Sequence, residues 1–178
     1  MSEILQLTAQ LADEAKAAGN PELAGEVLSM VIRVADLLPG MVQAASADVS
    51  ALKAVADLSK TAAQIAQTVA DTAKDANSRD LAQQTVTVAG KVKTVTEQVA
   101  LAAQDILATS ADEKEVGAAT ALIEEIRTID AIVQSAVNTA KETGFSDTSP
   151  QFGTADHSRF GDAPQDEPIA DSKPASPN

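Results

Sequence analysis

Few residues in this sequence belong to the types that perform catalysis or bind metals. The chain of 178 residues has one histidine, His157, and no cysteine. A Ser-His-Asp triad, a glycine-rich phosphate loop and a thiolate metal site each need residues or spacings that this sequence lacks. We therefore predict that the protein is not an enzyme and uses no cofactor or metal.

A group of carboxylates in the last helical segment comes nearest to a metal site. Glu113, Glu115, Glu124 and Glu125 lie close together along the chain. Di-metal sites in helical bundles use Glu-x-x-His pairs that point inward from facing helices, and no helical segment here contains a histidine. We interpret these four residues as solvated charges. Asp130 differs because it flanks an inward isoleucine, so we expect it to hydrogen-bond a threonine or lysine across a helix interface.

Apolar residues recur at the spacing of amphipathic α-helices through most of the chain, so helices must position any site. The region from Val49 to Leu107 shows this best, in steps of three and four residues that keep one helix face against a partner. The predicted inward residues there are Leu52, Val55, Leu58, Ala62, Ile65, Val69, Ala73, Ala76, Leu81, Thr85, Val88, Val92, Val95, Val99, Ala102 and Ile106. The other predicted inward residues are Ile4, Leu7, Leu11, Ala15, Ala18, Leu23, Val27, Met30, Val31, Val34, Leu37, Leu38, Val116, Ala119, Ile123, Ile126, Ile129, Val133, Val137 and Ala140.

Capping residues and helix breakers set the predicted boundaries. The first helix is predicted over 2–18, the third over 49–75, and the fifth as far as Lys141, with Gly144 ending it. Pro39 should either end or kink the second helix, and Gly90 could divide the fourth. The predicted N-caps are Asn20, Ser46 or Asp48, Ser78, and Ser110, the last in a capping box with Glu113.

These patterns predict an all-α protein, an antiparallel up-and-down bundle of four to five helices over residues 1–145. Long coiled-coil hairpins of the chemoreceptor or granule-coat type are disfavoured, because helix breaks recur too often. Residues 146–178 hold five of the seven prolines and few aliphatic residues, so we predict a disordered acidic tail. Phe152 and Phe160, each followed by glycine, form a candidate docking motif there. The alternative is that both occur by chance in a linker.

The net charge of −13 restricts the partners. An acidic surface argues against nucleic acids and anionic membranes, because phosphate binding needs clustered lysine and arginine. Residues 1–11 have neither the basic region nor the apolar run of a signal peptide or membrane span. Together with the lack of cysteine, this predicts a cytoplasmic protein.

Several stretches resemble the vinculin tail domain and, more broadly, the α-catenin and talin rod bundles. They are Leu11–Lys16 with Gly19-Asn20, Ala51–Lys60 with Val69-Ala70 and Ala73-Lys74, Thr94–Val99, Ser110–Glu113, Ile132–Val137 and Ala140–Glu142. The resemblance spans about residues 9–143, with Gly90 at a helix break of the family. It implies a four- or five-helix bundle, cytoskeletal linkage, F-actin binding and binding of partner helices.

The sequence departs from that family in charge. The vinculin tail is strongly basic and ends in a basic aromatic arm, whereas residues 1–145 here carry eleven basic and twenty acidic residues. Like-charge repulsion from actin, which is acidic, would weaken the implied activity, and the acidic tail argues against lipid binding.

We expect a cytoskeletal or adhesion-type interaction module that binds F-actin or an amphipathic helix. The alternative is a non-actin scaffold, coat protein or secreted effector. The candidate partner-binding residues, on the last helices as in the family, are Lys91, Lys93, Arg127 and Lys141. The alternative is that these four residues only solubilise the surface and pair along their helices.

Overall fold

Five α-helices joined by three-residue turns make up the described chain. The computed structural model describes residues 2–144. The helices are α1 (Ser2–Ala17), α2 (Pro21–Ala45), α3 (Val49–Asp75), α4 (Arg79–Thr109) and α5 (Glu113–Lys141). Turns this short make consecutive helices antiparallel, so the predicted all-α up-and-down bundle is confirmed. The predicted tail, 146–178, with His157, Phe152 and Phe160, lies outside the described residues.

Side-chain caps start four of the helices and account for the turn positions. Asn20 accepts hydrogen bonds from the amides of Glu22 and Leu23, both at 3.1 Å, and Asp48 accepts one from Ser50 at 2.8 Å. The side chain of Ser78 accepts a longer one at the start of α4. These caps satisfy amides that have no partner within the helix. The predicted caps Asn20, Asp48 and Ser78 are confirmed.

The predicted capping box at Ser110 is wrong by two residues. Ser110 is the C-cap of α4, and its amide donates to the carbonyl of Ile106 at 2.8 Å. Asp112 is the N-cap of α5 and accepts from the amide of Lys114 at 2.8 Å. The hydroxyl of Ser110 instead accepts from the Asp112 amide and donates to Glu115. The turn contains two residues that can cap a helix start, Ser110 and Asp112. Ser110 directly follows the last residue of α4 and is the C-cap of that helix, so Asp112 caps the start of α5.

Both predicted helix breakers lie inside continuous helices. α2 runs through Pro39 to Ala45, so the alternative that Pro39 ends the helix is wrong. Leu38 and Val42 are buried on either side of it, and this packing offsets the lost backbone hydrogen bond. α4 runs unbroken through Gly90, which is exposed and costs only about 1 kcal/mol relative to alanine.

The helices form two layers around α3. α1, α3 and α5 lie in one layer and α2 and α4 in the other, because α1 contacts α2 and α3 while α5 contacts α3 and α4. α3 contacts all four other helices and buries 13 of its 27 residues, many of them alanine. The predicted inward rows of α3 and α4 are buried, except Ala76, which is the exposed C-cap of α3.

The predicted inward faces of α1 and α2 are partly wrong. α1 buries Leu5, Thr8, Ala12 and Ala15. In contrast, several residues predicted to point inward are exposed, namely Ile4, Leu7, Ala18, Met30 and Leu37. The reason is geometric: α1 has apolar residues on two adjacent faces, and its two neighbouring helices cover only one of them. In α5, Leu122 and Ala136 are buried although they were not predicted to be.

Candidate interaction surfaces

The predicted cationic residues of α4 lie on different sides of that helix. The ammonium group of Lys91 pairs with the carboxylate of Asp36, which belongs to α2. Lys91 is therefore directed toward α2 rather than toward α5. Lys93 is exposed, and its carbonyl accepts a hydrogen bond from the hydroxyl of Thr96.

The predicted cations of α5 are far apart. Arg127 donates to Glu124 at 2.7 Å, and both side chains are largely exposed. Lys141 is the last residue of α5, so the two cations are separated by about 21 Å along the helix axis at 1.5 Å per residue. Two of the four predicted residues thus have carboxylate partners within the bundle, and the four do not form one compact patch.

Asp130 has the helix-interface hydrogen bond that the sequence predicts. The hydroxyl of Thr96 on α4 donates to its carboxylate oxygen at 3.0 Å. The aspartate itself is exposed, and the threonine is buried. This contact ties α4 to α5.

A different surface, along α1 and α2, exposes large aliphatic side chains. On α1, Ile4 is 56% exposed and Leu7 is 61% exposed; on α2, Met30 is 38% exposed and Leu37 is 58% exposed. Leu11 on α1 is half-buried. We name this set the α1–α2 seam: Ile4, Leu7, Leu11, Met30 and Leu37.

The neighbours of each helix show that these side chains face the same furrow. Ala9 and Asp13 of α1 line a cavity on the side of α5, and Ile4, Leu7 and Leu11 lie on the opposite side of α1, toward α2.

The same reasoning places the α2 residues. Asp36 and Pro39 of α2 face α4 across Lys91, so Met30 and Leu37 lie on the other side of α2, toward α1. Because the hairpin turns at residues 18–20, Leu7 is roughly level with Val31.

An apolar depression lies between α2 and α3 beyond Ser2. α1 has 16 residues and α2 has 25, so the last two turns of α2 extend past Ser2. There α2 and α3 line an open depression of about 270 Å³. Its lining residues are Met41, Ala44, Ala45, Ala51, Ala54 and Val55.

The groove between α1 and α5, on the opposite side of α1, is lined by both polar and apolar residues. It forms a cavity of about 480 Å³ over α3, lined by Asp13, Gln64, Gln67 and Thr68 together with three apolar residues. The amide nitrogen of Gln67 donates to Asp71 and Thr139. Its oxygen is buried and accepts no hydrogen bond from the described residues.

Ion pairs bridge α3 to its layer neighbours along that groove. Glu125 of α5 accepts from Lys53 at 3.0 Å and from Lys60 at 3.3 Å. The pKa of Glu125 is lowered, mainly by the hydrogen bond from Lys53; partial burial opposes the shift and Lys60 adds to it. Lys16 of α1 pairs with Asp71 at 2.7 Å, and this hydrogen bond raises the pKa of Lys16.

Within residues 2–144, no group of three histidine, cysteine, aspartate or glutamate side chains is placed to hold a metal ion. In the same range, α2 has the length and composition of a membrane span. A core helix of a bundle meets the same criteria, and α2 buries nine residues against other helices. That composition is therefore only a weak sign of a membrane.

Comparison of the chain with known protein families, curated proteins and solved structures gives no match. The function must therefore be argued from the surfaces themselves.

The sequence contained a signal for the seam that the inward-face prediction missed. Ile4-Leu5 and Leu37-Leu38 are adjacent pairs of large aliphatic residues. Successive residues point about 100° apart on a helix, so both members of such a pair face the core only where neighbours surround the helix widely. A helix at the edge of a bundle exposes one member of each pair.

Proposed function

We propose that this chain is a non-catalytic interaction module that binds an amphipathic helix of a partner protein along the α1–α2 seam. The observation that carries the proposal is the exposure of four large aliphatic side chains in one furrow: Ile4, Leu7, Met30 and Leu37. Monomeric proteins rarely leave apolar side chains grouped in this way unless the patch binds something. A furrow between two antiparallel helices fits the apolar face of a third helix.

The helix-binding proposal has a direct test with a matched control. The probe is a fluorescent amphipathic peptide of about 18 residues with leucine on one face and uncharged glutamine elsewhere. Leu7→Asp and Leu37→Asp should each weaken its binding about tenfold or more, because each places a charge in the contact. Leu101→Asp is the control, since Leu101 is 63% exposed on the outer face of α4.

Fluorescence anisotropy gives the dissociation constants, and circular dichroism checks that the variants keep their helicity. Equal weakening by the variants at Leu7, Leu37 and Leu101 would contradict the proposal, as would failure of the unaltered protein to bind the peptide.

A second candidate function is F-actin binding by the α4–α5 face, as the resemblance to the vinculin tail implies. Its support is that Lys93 and Lys141 are exposed on those helices. In that case the protein should pellet with filaments at physiological salt, and reversal of Lys91, Lys93 and Arg127 to glutamate should abolish pelleting without loss of helicity. Pelleting only at low salt would indicate non-specific attraction. No pelleting at any salt would favour a non-actin scaffold, coat or effector.

We propose a cytoplasmic location because the sequence has no cysteine.

A further inference from the structure

We infer that the groove between α1 and α5 binds a small organic cation, namely a protonated amine carried on a compact apolar group. The residues that line this groove are Ala9, Asp13, Gln64, Ile65, Gln67, Thr68 and Ile132, and we name it the α1–α5 groove. It is a different surface from the α1–α2 seam, and the inference does not depend on the proposed function. Three features carry it: the size of the groove, the free polar groups in it and its charge.

The α1–α5 groove exists because α1 and α5 both pack on α3 but are not in contact with each other. These two helices form the walls, and residues 64–68 of α3 form the floor. The volume of about 480 Å³ lies within the range of about 300–1,000 Å³ that is usual for small-molecule sites. Ala9, Ile65 and Ile132 give the groove one apolar contact from each helix, which suits a compact apolar group.

Two polar side chains on the floor lack hydrogen bonds that similar groups make elsewhere in the bundle. The hydroxyls of Thr72 and Thr85 each donate to the carbonyl four residues earlier. The carbonyl of Thr68 accepts the first of these bonds, but its own hydroxyl has no partner among the described residues. The side-chain oxygen of Gln67 is buried and likewise lacks a donor within residues 2–144. Such groups favour a bound molecule that brings hydrogen-bond donors to the floor.

The side-chain amide of Gln67 is held in one orientation. Its nitrogen donates to Asp71 at 3.1 Å and to Thr139 at 3.3 Å, so the oxygen is the end of the amide that stays free. The residue as a whole is partly exposed, so this oxygen lies close below the surface of the groove. The free acceptor is therefore a fixed feature of the floor.

Asp13 supplies an unpaired negative charge at the wall of the groove. It is exposed, and it has no ion-pair partner within 4.0 Å in the part of the chain that the structure describes. Lys16, one turn farther along α1, is bound by Asp71 at 2.7 Å. Two lysines of α3 share Glu125 of α5. These neighbouring cations are thus already paired, and Asp13 is left to attract a cation from solution.

The combination of these groups defines the class of ligand. Asp13 opposes an anion, and a purely apolar molecule would cover the free groups of Gln67 and Thr68 without supplying a donor. A metal ion is disfavoured, because residues 2–144 contain no group of three side chains placed to hold one. A protonated amine on an apolar group pairs with Asp13, supplies N–H donors and fills the space between Ala9 and Ile132.

The experiment uses the full chain and three probes that share a cyclohexylmethyl group. They are cyclohexylmethylamine, cyclohexylmethanol and cyclohexylacetate, and they are cationic, neutral and anionic at pH 7. Amide chemical shifts in two-dimensional ¹⁵N NMR report where each probe binds and how tightly. The amine should shift amides near residues 9–13, 64–68 and 132 saturably. It should bind about fivefold more tightly than the alcohol, the size expected of a partly exposed ion pair, and the carboxylate should bind most weakly.

Four variants tie the binding to the named residues. Asp13→Asn should weaken the amine about fivefold and leave the alcohol unchanged, and Thr68→Val should weaken both about threefold. Ala9→Phe should fill the groove and exclude all three probes, with circular dichroism as the check on helicity. The matched control is Asp105→Asn, which removes an exposed carboxylate from α4, a helix that does not contact α1. It should leave the binding of all three probes unchanged.

Three outcomes overturn the inference. The first is that the amine causes no saturable shifts at millimolar concentrations. The second is that the amine and the alcohol bind equally, or that Asp13→Asn binds the amine as the parent does, because the groove would then not select a cation. The third is that the shifts fall on the α1–α2 seam and not on the α1–α5 groove. None of these outcomes bears on peptide binding at the seam, which is decided by its own test.

Discussion

α1 and α3 are built from similar residues but have opposite positions in the fold. Both are rich in alanine and aliphatic residues with charges between them. α3 has four neighbours and buries 13 of its 27 residues, whereas α1 has two neighbours and buries 4 of its 16. The outward side of α3 is polar and ion-paired; that of α1 includes Ile4 and Leu7.

This comparison teaches that an apolar stripe becomes core only where enough neighbouring helices cover it. In α3 the small residues Ala56, Ala63, Ala66 and Ala70 let the surrounding helices approach closely. In α1 the same kind of pattern leaves one apolar stripe uncovered by other helices, and that stripe supplies the α1 residues of the α1–α2 seam. The candidate interaction surface is thus a consequence of where α1 lies in the bundle.

The largest expected difference is in the thermal stability of variants that carry an introduced charge in a core helix or in α1. Ile65→Asp in α3, or Val95→Asp in α4, buries an unpaired carboxylate and should destabilise the domain by about 4 kcal/mol or more, enough to unfold it. Leu7→Asp in α1 should leave the melting temperature nearly unchanged, because Leu7 is exposed. Thermal melts followed by circular dichroism make the comparison, and equal melting of Ile65→Asp and the parent would refute the assigned core.

Substitutions of two glycines should change the free energy of unfolding by smaller amounts, and the two changes should have opposite signs. Gly90 lies on the exposed side of α4, and an added Cβ would meet no atom within 4 Å, so Gly90→Ala should stabilise by about 1 kcal/mol. Gly19 follows α1 with a φ of +59°, where alanine is strained, so Gly19→Ala should destabilise by about 1 kcal/mol. Urea unfolding measures both free energies. Stabilisation by both substitutions would mean that Gly19 does not adopt the left-handed backbone conformation.

The smallest expected effect is on how stability depends on pH. It compares the ion pairs between α3 and α5 with the ion pair between α1 and α3. The folded-state pKa of Glu125 is lowered by Lys53 and Lys60 of α3, so its contribution to stability is present above the unfolded pKa and is lost as pH falls through the folded pKa. Glu125→Gln should therefore reduce stability at neutral pH by less than about 1 kcal/mol and flatten the decline in acid.

The corresponding pair of α1 responds at the other end of the pH scale. The folded-state pKa of Lys16 is raised by Asp71, so its contribution is present below the unfolded pKa and is lost as pH rises through the folded pKa. Lys16→Gln should flatten the alkaline decline. Urea titrations across the pH range separate the two variants, and identical pH profiles for both would contradict the assigned partners.

The sequence by itself determined the helices, most of their ends and the inward rows of α3 and α4. These features depend on local chemistry. A spacing of three and four residues places Ile65 on the inward face of α3 and Val95 on the inward face of α4. The short side chains of Asn20, Asp48 and Ser78 cap free amides where a turn precedes a helix. The sequence also predicted that Asp130 hydrogen-bonds a threonine or lysine, because its position beside an inward residue is a local property.

Only the tertiary structure decided which of two apolar faces on α1 is buried, that Lys91 of α4 faces α2, and that α2 and α3 leave an apolar depression near Met41. Each depends on how many helices surround a given helix and on where a short helix ends against longer ones. Periodicity along one segment contains neither quantity, so a leucine such as Leu37 has the same pattern whether a neighbour covers it or not.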